Sequence, residues 1–430
     1  MSELPRIVIV GAGPAGMCSA ERLRELGFDG ELVIVGAEPT MPVYRPALSK
    51  QFVTGALGSH DLALHPADDL DATWRLNTPV SQLDSRRRVV HLPGGEELGY
   101  DGLVIATGAE ARRMPGRINA HRRVTVLRTV ADTKRLHRTM SGTRAPVVVL
   151  GCGFLGCEVA ASLRAVGREV TIVGRSSLLM SNLLDEDLAR RLTDLHRRNE
   201  VGLELGVKVD GWDPGPDGIG VLLSTGKRLE AAGIVVAVGS VPAVSWLRDS
   251  GAQVEDGLLC EPTCHVAGLD DVVAAGDVAK WPNLRFGTEP HRVEHWVNAI
   301  EMGRAAAENL LSGRETATPF MPVPRFWSEQ HGLRIQAAGM PVLATERVRM
   351  DSDSARGRSL TGFVRDGKLV GVIGFDRSAA VLAYANHLPD EHPILARSNS
   401  TTMPDQAPRR QAPATGHSKR VSFVRALRGR

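Results

Sequence analysis

The chain has 430 residues, a net charge of +3, 43% hydrophobic residues and five cysteines. That length allows two to four domains at roughly 100–200 residues each, with ample apolar material for real cores. So small a net charge argues against nucleic acid, no apolar run approaches the ~18 residues of a membrane span, and an odd cysteine count points to reduced thiols in a cytoplasmic setting. No secretory leader is expected, because the first strand pattern begins almost at the N-terminus.

That pattern, Ile7 to Val10, runs into Gly11-Ala12-Gly13-Pro14-Ala15-Gly16 and then an alanine-rich stretch that reads as helix. In such a strand–turn–helix unit the first glycine makes the bend and the second lets backbone approach a pyrophosphate. The third lets helix pack on strand, so the phosphates meet a helix N-terminus. The plainer reading, tight-turn glycines alone, loses ground because the fingerprint recurs 140 residues later. There Val147 to Leu150 leads into Gly151-Cys152-Gly153-Phe154-Leu155-Gly156 in the same context. Two dinucleotides on one polypeptide imply electrons passing between them.

Residues 1–112 read as the first nucleotide unit. Its strand Leu103 to Ile105 ends in Ala106-Thr107-Gly108, small residues that leave room for a ligand. An acid near the end of the second strand accepts hydrogen bonds from a ribose in such sites, and Glu38, after Gly36 and Ala37, is the best acid available. Residues 113–241 repeat the theme and close in the strand Ile234 to Val238 with Gly239. Residues 242–320 return to the first unit through Asp271 to Gly276-Asp277, which delivers a carboxylate to the carboxyl edge of a sheet. Residues 321–390 open with a Pro-punctuated aromatic segment and continue in alternating strands, a small α+β C-terminal domain. Residues 391–430 carry eight Arg and Lys against two acids, a net +6 that leaves the remainder at −3, and read as a disordered basic tail. The fold class is therefore α/β: two Rossmann-like dinucleotide-binding domains, the first discontinuous, plus the C-terminal α+β domain.

Over about residues 4–390 the chain resembles the FAD-dependent ferredoxin-reductase group of the pyridine nucleotide-disulfide oxidoreductase superfamily. The resemblance is carried by both glycine loops, Arg45-Pro46-Ala47-Leu48-Ser49-Lys50, Ala106-Thr107-Gly108, Glu158, Gly276-Asp277, Val293-Glu294-His295-Trp296 and Phe326-Trp327-Ser328. It implies FAD at Gly11, Gly13, Ala15, Gly16, Glu38, Arg45, Lys50, Thr107, Gly108, Asp277, Trp296 and Trp327. It implies NAD(P)H at Gly151, Gly153, Phe154, Leu155, Gly156, Glu158, Arg175 and Gly239. Asp277 would accept from the ribityl chain, Trp296 would line the flavin and Trp327 would cover it from the third domain. Lys50 and Glu158 would pair beside the isoalloxazine edge as the catalytic couple. A solvated turn is the alternative for Arg45 and Lys50, and a helix-dipole carboxylate the alternative for Glu158. The group usually has Tyr directly after the proline; here the order is Pro42-Val43-Tyr44.

One slot bears on the coenzyme. NAD enzymes carry an acid just after the second strand, whereas Arg accommodates the 2′-phosphate of NADP. Here Val170 to Val173 runs into Gly174-Arg175-Ser176-Ser177, which favours NADPH over NADH unless Arg175 is a solvated loop residue. Cys152 and Cys157 have the spacing of a redox disulfide but lie in the wrong glycine loop, so they read as small packing residues. Cys260, Cys264 and His265 lack a fourth ligand, so no metal is expected, and His291 and His295 read as part of a helix start. The expected activity passes electrons from NAD(P)H through FAD to a ferredoxin-type iron–sulfur protein, in a monomer or weak dimer without membrane or nucleic acid. Arg304, Arg325 and Lys280 are the candidate docking cations. An NAD(P)H oxidase or small-molecule reductase is the enzymatic alternative, and an interaction protein acting through its tail the remote one.

Overall fold

The computed structural model describes residues 5–215, 218–353 and 357–389, so the tail expected over 391–430 lies outside the described residues. Two parallel sheets of five strands carry the glycine loops. In the first, β1 (Arg6–Val10) lies between β2 (Glu31–Val35) and β4 (Gly102–Ile105), and β3 (Thr73–Arg75) extends it beyond β2. Val8, Ile9, Ile34 and Val104 are wholly buried. A sheet covered on both faces explains why these strands are continuous aliphatic runs rather than alternating ones. Helix α1 (Pro14–Glu25) begins on Pro14, whose missing N–H costs nothing in a first turn.

The second sheet contains β5 (Val124–Val126), β6 (Val147–Leu150), β7 (Val170–Gly174), β8 (Gly202–Leu205) and β9 (Gly233–Val236), ordered β8-β7-β6-β9-β5. Helices α2 (Val130–Met140), α3 (Phe154–Ala165) and α4 (Glu186–Arg198) accompany it. The chain then returns: β10 (Val272–Ala274) pairs in parallel with β4, so the first unit is built from two separated stretches. Helix α5 (Trp296–Ser312) crosses α1 at backbone contact. A Cβ on Gly303 would stand 2.3 Å from the Ala15 carbonyl oxygen, and the Ser19 hydroxyl lies 2.8 Å from the carbonyl oxygens of both Ala15 and Gly303.

The C-terminal unit is an antiparallel sheet of β11 (Arg325–Gln330), β12 (Leu333–Gly339), β13 (Glu346–Asp353), β14 (Arg358–Arg365) and β15 (Lys368–Phe375), followed by α6 (Ser378–Ala385). Its Ile335, Phe363, Ile373 and Phe375 share one hydrophobic core with Val149, Leu188 and Leu192 of the second unit. That common core presses β11 onto α3. The architecture is the α/β class read from the sequence, with a discontinuous first unit and a small sheet-and-helix unit at the end.

Candidate functional site

The two glycine loops have the same construction. Gly11 and Gly151 sit at φ +120° and +116°, and a Cβ on either would stand 2.1 Å from a carbonyl oxygen of the neighbouring strand end, Ala106 or Ala237. Only glycine combines that dihedral with that approach. A Cβ on Gly16 or Gly156 would meet the carbonyl of Gly11 or Gly151 at 2.0 Å, whereas one on Gly13 or Gly153 would meet nothing within 4 Å. Gly13 and Gly153 also cap α1 and α3 without a side-chain hydrogen bond, beside the open space that a Cβ on either would face. A phosphate fits such a place, because unpaired amides and the helix dipole both favour an anion.

Around the first loop the predicted residues are drawn together by one local pair and several long-range ones. Glu38 binds the Arg45 guanidinium, and Arg45 Nη1 donates to the Arg128 carbonyl at 2.6 Å. Arg128 in turn donates to Asp277 at 2.8 Å. Thr107 Oγ1 donates to the Ala243 carbonyl at 2.9 Å, and Gly108 takes φ +69°. Ala15 is buried beneath Gly276, whose Cβ would stand 3.1 Å from that of Ala15. Trp296 opens α5 and meets Tyr44 edge to face, ring centroids 5.2 Å apart. Burial raises the Tyr44 phenol above its ordinary range, with the Glu329 charge adding to the effect.

Sequence reasoning missed Arg128. Its amide donates to Asp132 Oδ2 at 3.0 Å inside the capping box that Thr129 and Asp132 form for α2, so the helix start fixes the backbone from which the guanidinium reaches Asp277. The Thr129-x-x-Asp132 pattern would have revealed the cap. The contact with Asp277, 149 residues away, has no local signal.

The deepest pair is Lys50–Glu158, at 2.8 Å with side chains 13% and 9% exposed. Glu158 sits in the first turns of α3. It also accepts from Ser49 Oγ at 2.6 Å and from Ser328 Oγ at 2.7 Å, so the first and the C-terminal units both supply partners to a residue of the second. A buried carboxylate needs such saturation, because an unpaired charge there costs several kcal/mol. Phe154 meets Phe326 with centroids 4.8 Å apart, and Phe326 lies 5.0 Å from the His295 ring. Strand alternation sends Trp327 to the face of β11 opposite Phe326 and Ser328, where it is half-buried. His295 Nδ1 and Asn298 Oδ1 are sealed from solvent without a hydrogen-bond partner among the described residues. Desolvation pushes the His295 imidazole down to about 4. Orphaned polar atoms beside an uncapped helix start suit a ligand rich in donors and acceptors, such as a flavin ring.

In the second unit Arg175 is exposed just past β7 and has no ion pair among the described residues. Leu155 is half-buried behind Phe154, and Gly239, at φ +103°, accepts from the Arg112 amide at 2.9 Å. All five cysteines are free; Cys157 is fully buried, and burial holds its thiol well above the ordinary range. Cys260 is pushed up to about 12 by burial. Among the described residues no group of three or more His, Cys, Asp or Glu is placed to hold a metal, and no helix is long and apolar enough to cross a membrane. The three expected docking cations are each already engaged: Arg304 with Glu25, Arg325 with Glu301 at 2.6 Å and Lys280 with Glu255 at 3.5 Å.

Residues 5–303 match the pyridine nucleotide-disulphide oxidoreductase family, and residues 325–399 match the reductase C-terminal family. A ferredoxin–NAD(P)+ reductase of Sphingomonas is 32% identical over 85% of this chain and 88% of its own length. Rhodocoxin reductase of Rhodococcus erythropolis is 31% identical over 92% of each. Among solved structures, a ferredoxin reductase from Rhodopseudomonas palustris is similar with a TM-score of 0.82, 28% identity and coverage of 89% and 93%. The reductase of a covalent putidaredoxin reductase–putidaredoxin complex shares the fold with a TM-score of 0.85, at 24% identity and coverage of 93% and 97%. The chain therefore belongs to the pyridine nucleotide-disulphide oxidoreductase family, whose cofactors are FAD and NAD(P)H, and it groups with that family's ferredoxin and rubredoxin reductases.

Proposed function

We propose that the protein is an NAD(P)H-dependent flavoprotein reductase that passes electrons through FAD to a ferredoxin-type iron–sulfur protein serving a monooxygenase or dioxygenase. The observation that carries this reading is the buried Lys50–Glu158 pair between the two glycine loops, closed over by Ser328 of the C-terminal sheet. Bound FAD supplies the conversion of a two-electron hydride donor into single-electron delivery. The chain's own work is to hold, align and dry the reacting rings, since hydride transfer needs little proton chemistry.

In this reading Gly11, Gly13 and the α1 start hold the FAD pyrophosphate, with Arg45 and Arg128 neutralising its charge. Glu38 accepts from the adenosine ribose and Asp277 from the ribityl chain. Lys50 faces the isoalloxazine edge, and Glu158 fixes the ammonium there. Trp296 lines the ring and Trp327 covers it. Gly151, Gly153 and the α3 start take the nicotinamide dinucleotide, with Phe154, Leu155 and Gly239 walling its path. Arg175, exposed and unpaired among the described residues, meets the 2′-phosphate of NADPH, the preferred coenzyme. The FAD domain comprises residues 1–112 and 242–320, the coenzyme domain 113–241 and the covering domain 321–390. Names of relatives support a protein acceptor: those of p-cumate and anthranilate dioxygenase systems are ferredoxin–NAD+ reductase components. The test compares oxygen consumption with ferredoxin-linked dye reduction on purified protein. Faster turnover through a ferredoxin supports the reading; turnover indifferent to any ferredoxin and matched by oxygen uptake makes it an oxidase.

A further inference from the structure

Ser328, the donor that the C-terminal sheet presents to Glu158, is itself held by side chains that hydride transfer does not use. Gln330 Nε2 donates to Ser328 Oγ at 2.9 Å and lies 3.5 Å from Met180 Sδ. Gln330 Oε1 is 2.9 Å from His196 Nε2, and His196 Nδ1 is 3.3 Å from His331 Nε2. Ser328, Gln330 and His196 are at most 1% exposed.

Donor and acceptor chemistry gives this train a single direction. The Glu158 carboxylate accepts, so the Ser328 hydroxyl hydrogen is spent on it and the Ser328 oxygen must accept from the Gln330 amide nitrogen. The amide oxygen then faces His196, which must carry its proton on Nε2. That leaves Nδ1 to accept, and His331 donates from Nε2. Every bond points toward Glu158.

The turn chemistry adds an independent observation. His331 and Gly332 form the two-residue connection between β11 and β12, at φ +50° and +79°. Asn or Gly is the usual occupant of the first such position, because left-handed backbone strains larger side chains. Histidine stands there instead, its ring 4.5 Å from that of His196 at an interplanar angle of 82°. Burial keeps both imidazoles neutral by lowering their titration, His331 to about 4 with His196 and Arg164 adding to the effect. The outer end of the train opens on a groove of about 790 Å³ lined by Lys50, Gln51, Ser162, Glu329, Gln330 and His331.

We propose that His331, His196 and Gln330 are positioning residues that orient Ser328 as a donor to Glu158 and so keep the Lys50–Glu158 pair aligned. The proposal rests on the hydride-site reading of that pair given above. The test is histidine ¹⁵N NMR on the holoenzyme at neutral pH, combined with anaerobic flavin reduction by NADPH and NADH. In wild type, His196 and His331 are expected as neutral Nε2–H tautomers. H196L slows flavin reduction about three- to tenfold, the scale of one buried hydrogen bond. H196Q, whose amide reaches the Nε2 position, recovers most of that loss. H331N suits the turn, so thermal stability holds or rises while flavin reduction still slows. A proton on Nδ1 of His196 in wild type, or equal flavin-reduction rates for H196L and H196Q, would overturn the proposal. If H196L does not fold, the wild-type tautomers decide. If wild-type flavin is not reduced by either coenzyme, the functional reading fails, while the tautomers still judge the train.

Discussion

The two glycine loops solve one backbone problem in nearly identical ways, yet their surroundings differ. Both place a glycine at φ near +120° against a carbonyl of the adjacent strand end, and both leave an uncapped helix start facing open space. After its second strand the first unit offers Glu38, tied to Arg45; the second offers Arg175, exposed and unpaired among the described residues. The first loop is also enclosed by pairs from distant stretches, Arg128–Asp277 above all, whereas the second is bordered by aromatic packing of Phe154 on Phe326. In the proposed reading, the shared loop takes a dinucleotide, and the flanking charges and closures decide which one and whether it stays or exchanges.

The sharpest way to break this comparison is to substitute the equivalent glycines. Gly11→Ala and Gly151→Ala each force a left-handed dihedral on a Cβ, costing about 1–2 kcal/mol before the backbone clash is counted. G11A is expected to lose bound flavin, seen as absent visible absorbance after purification. G151A should retain its flavin but lose reduction by NAD(P)H. Equal flavin loss in both would dissolve the distinction between the sites.

A somewhat smaller effect is expected between the loops. Lys50→Met leaves Glu158 buried without its cation, which should cost about 3–5 kcal/mol, read by denaturant unfolding. Glu158→Gln keeps the shape but offers one acceptor oxygen where two serine hydroxyls and the Lys50 ammonium donate. It should be less stable than wild type and slow flavin reduction more than it weakens flavin retention.

The coenzyme slot tests the flanking charges alone. Arg175→Glu should reverse the coenzyme preference, lowering kcat/KM for NADPH by about tenfold or more relative to NADH, the scale of a charge-assisted hydrogen bond. A ratio unchanged by R175E would make that arginine a solvated loop residue.

A further effect concerns pH. His295 and His331 titrate in the folded protein at about 4, below the ordinary histidine value of 6.5, because burial disfavours their charged forms. The unfolded chain therefore binds more protons between those limits. Their contribution to stability is present above 6.5 and lost as pH falls toward 4. With displacement worth about 1.4 kcal/mol per unit and discounted for partial exposure, each loss is on the order of 1–2 kcal/mol. Unfolding midpoints measured across that window check it.

Much of the frame was legible because its signals are local. Glycines following aliphatic strands marked both loops, and the strand entering Gly276-Asp277 marked the chain's return to the first sheet. Lys50 and Glu158 were singled out by resemblance rather than by pattern, and they meet at 2.8 Å. What stayed hidden depends on contacts across the chain. Arg128 reaches Asp277, Ser328 reaches Glu158, and His196 reaches Gln330, over sequence separations of 149, 170 and 134 residues. No periodicity encodes such pairs; they appear only when the shared core has pressed the last sheet onto α3. The same reason explains why Arg304, Arg325 and Lys280 looked available in the sequence although each has an acid partner in the fold.

The most direct measurement mixes purified, FAD-loaded protein with excess NADPH or NADH under anaerobic conditions and follows the flavin's visible absorbance in a stopped-flow instrument. Prompt bleaching, faster with NADPH, is the predicted result. Firmly bound flavin whose colour survives both coenzymes would contradict the claim that this chain brings two dinucleotides into reacting contact.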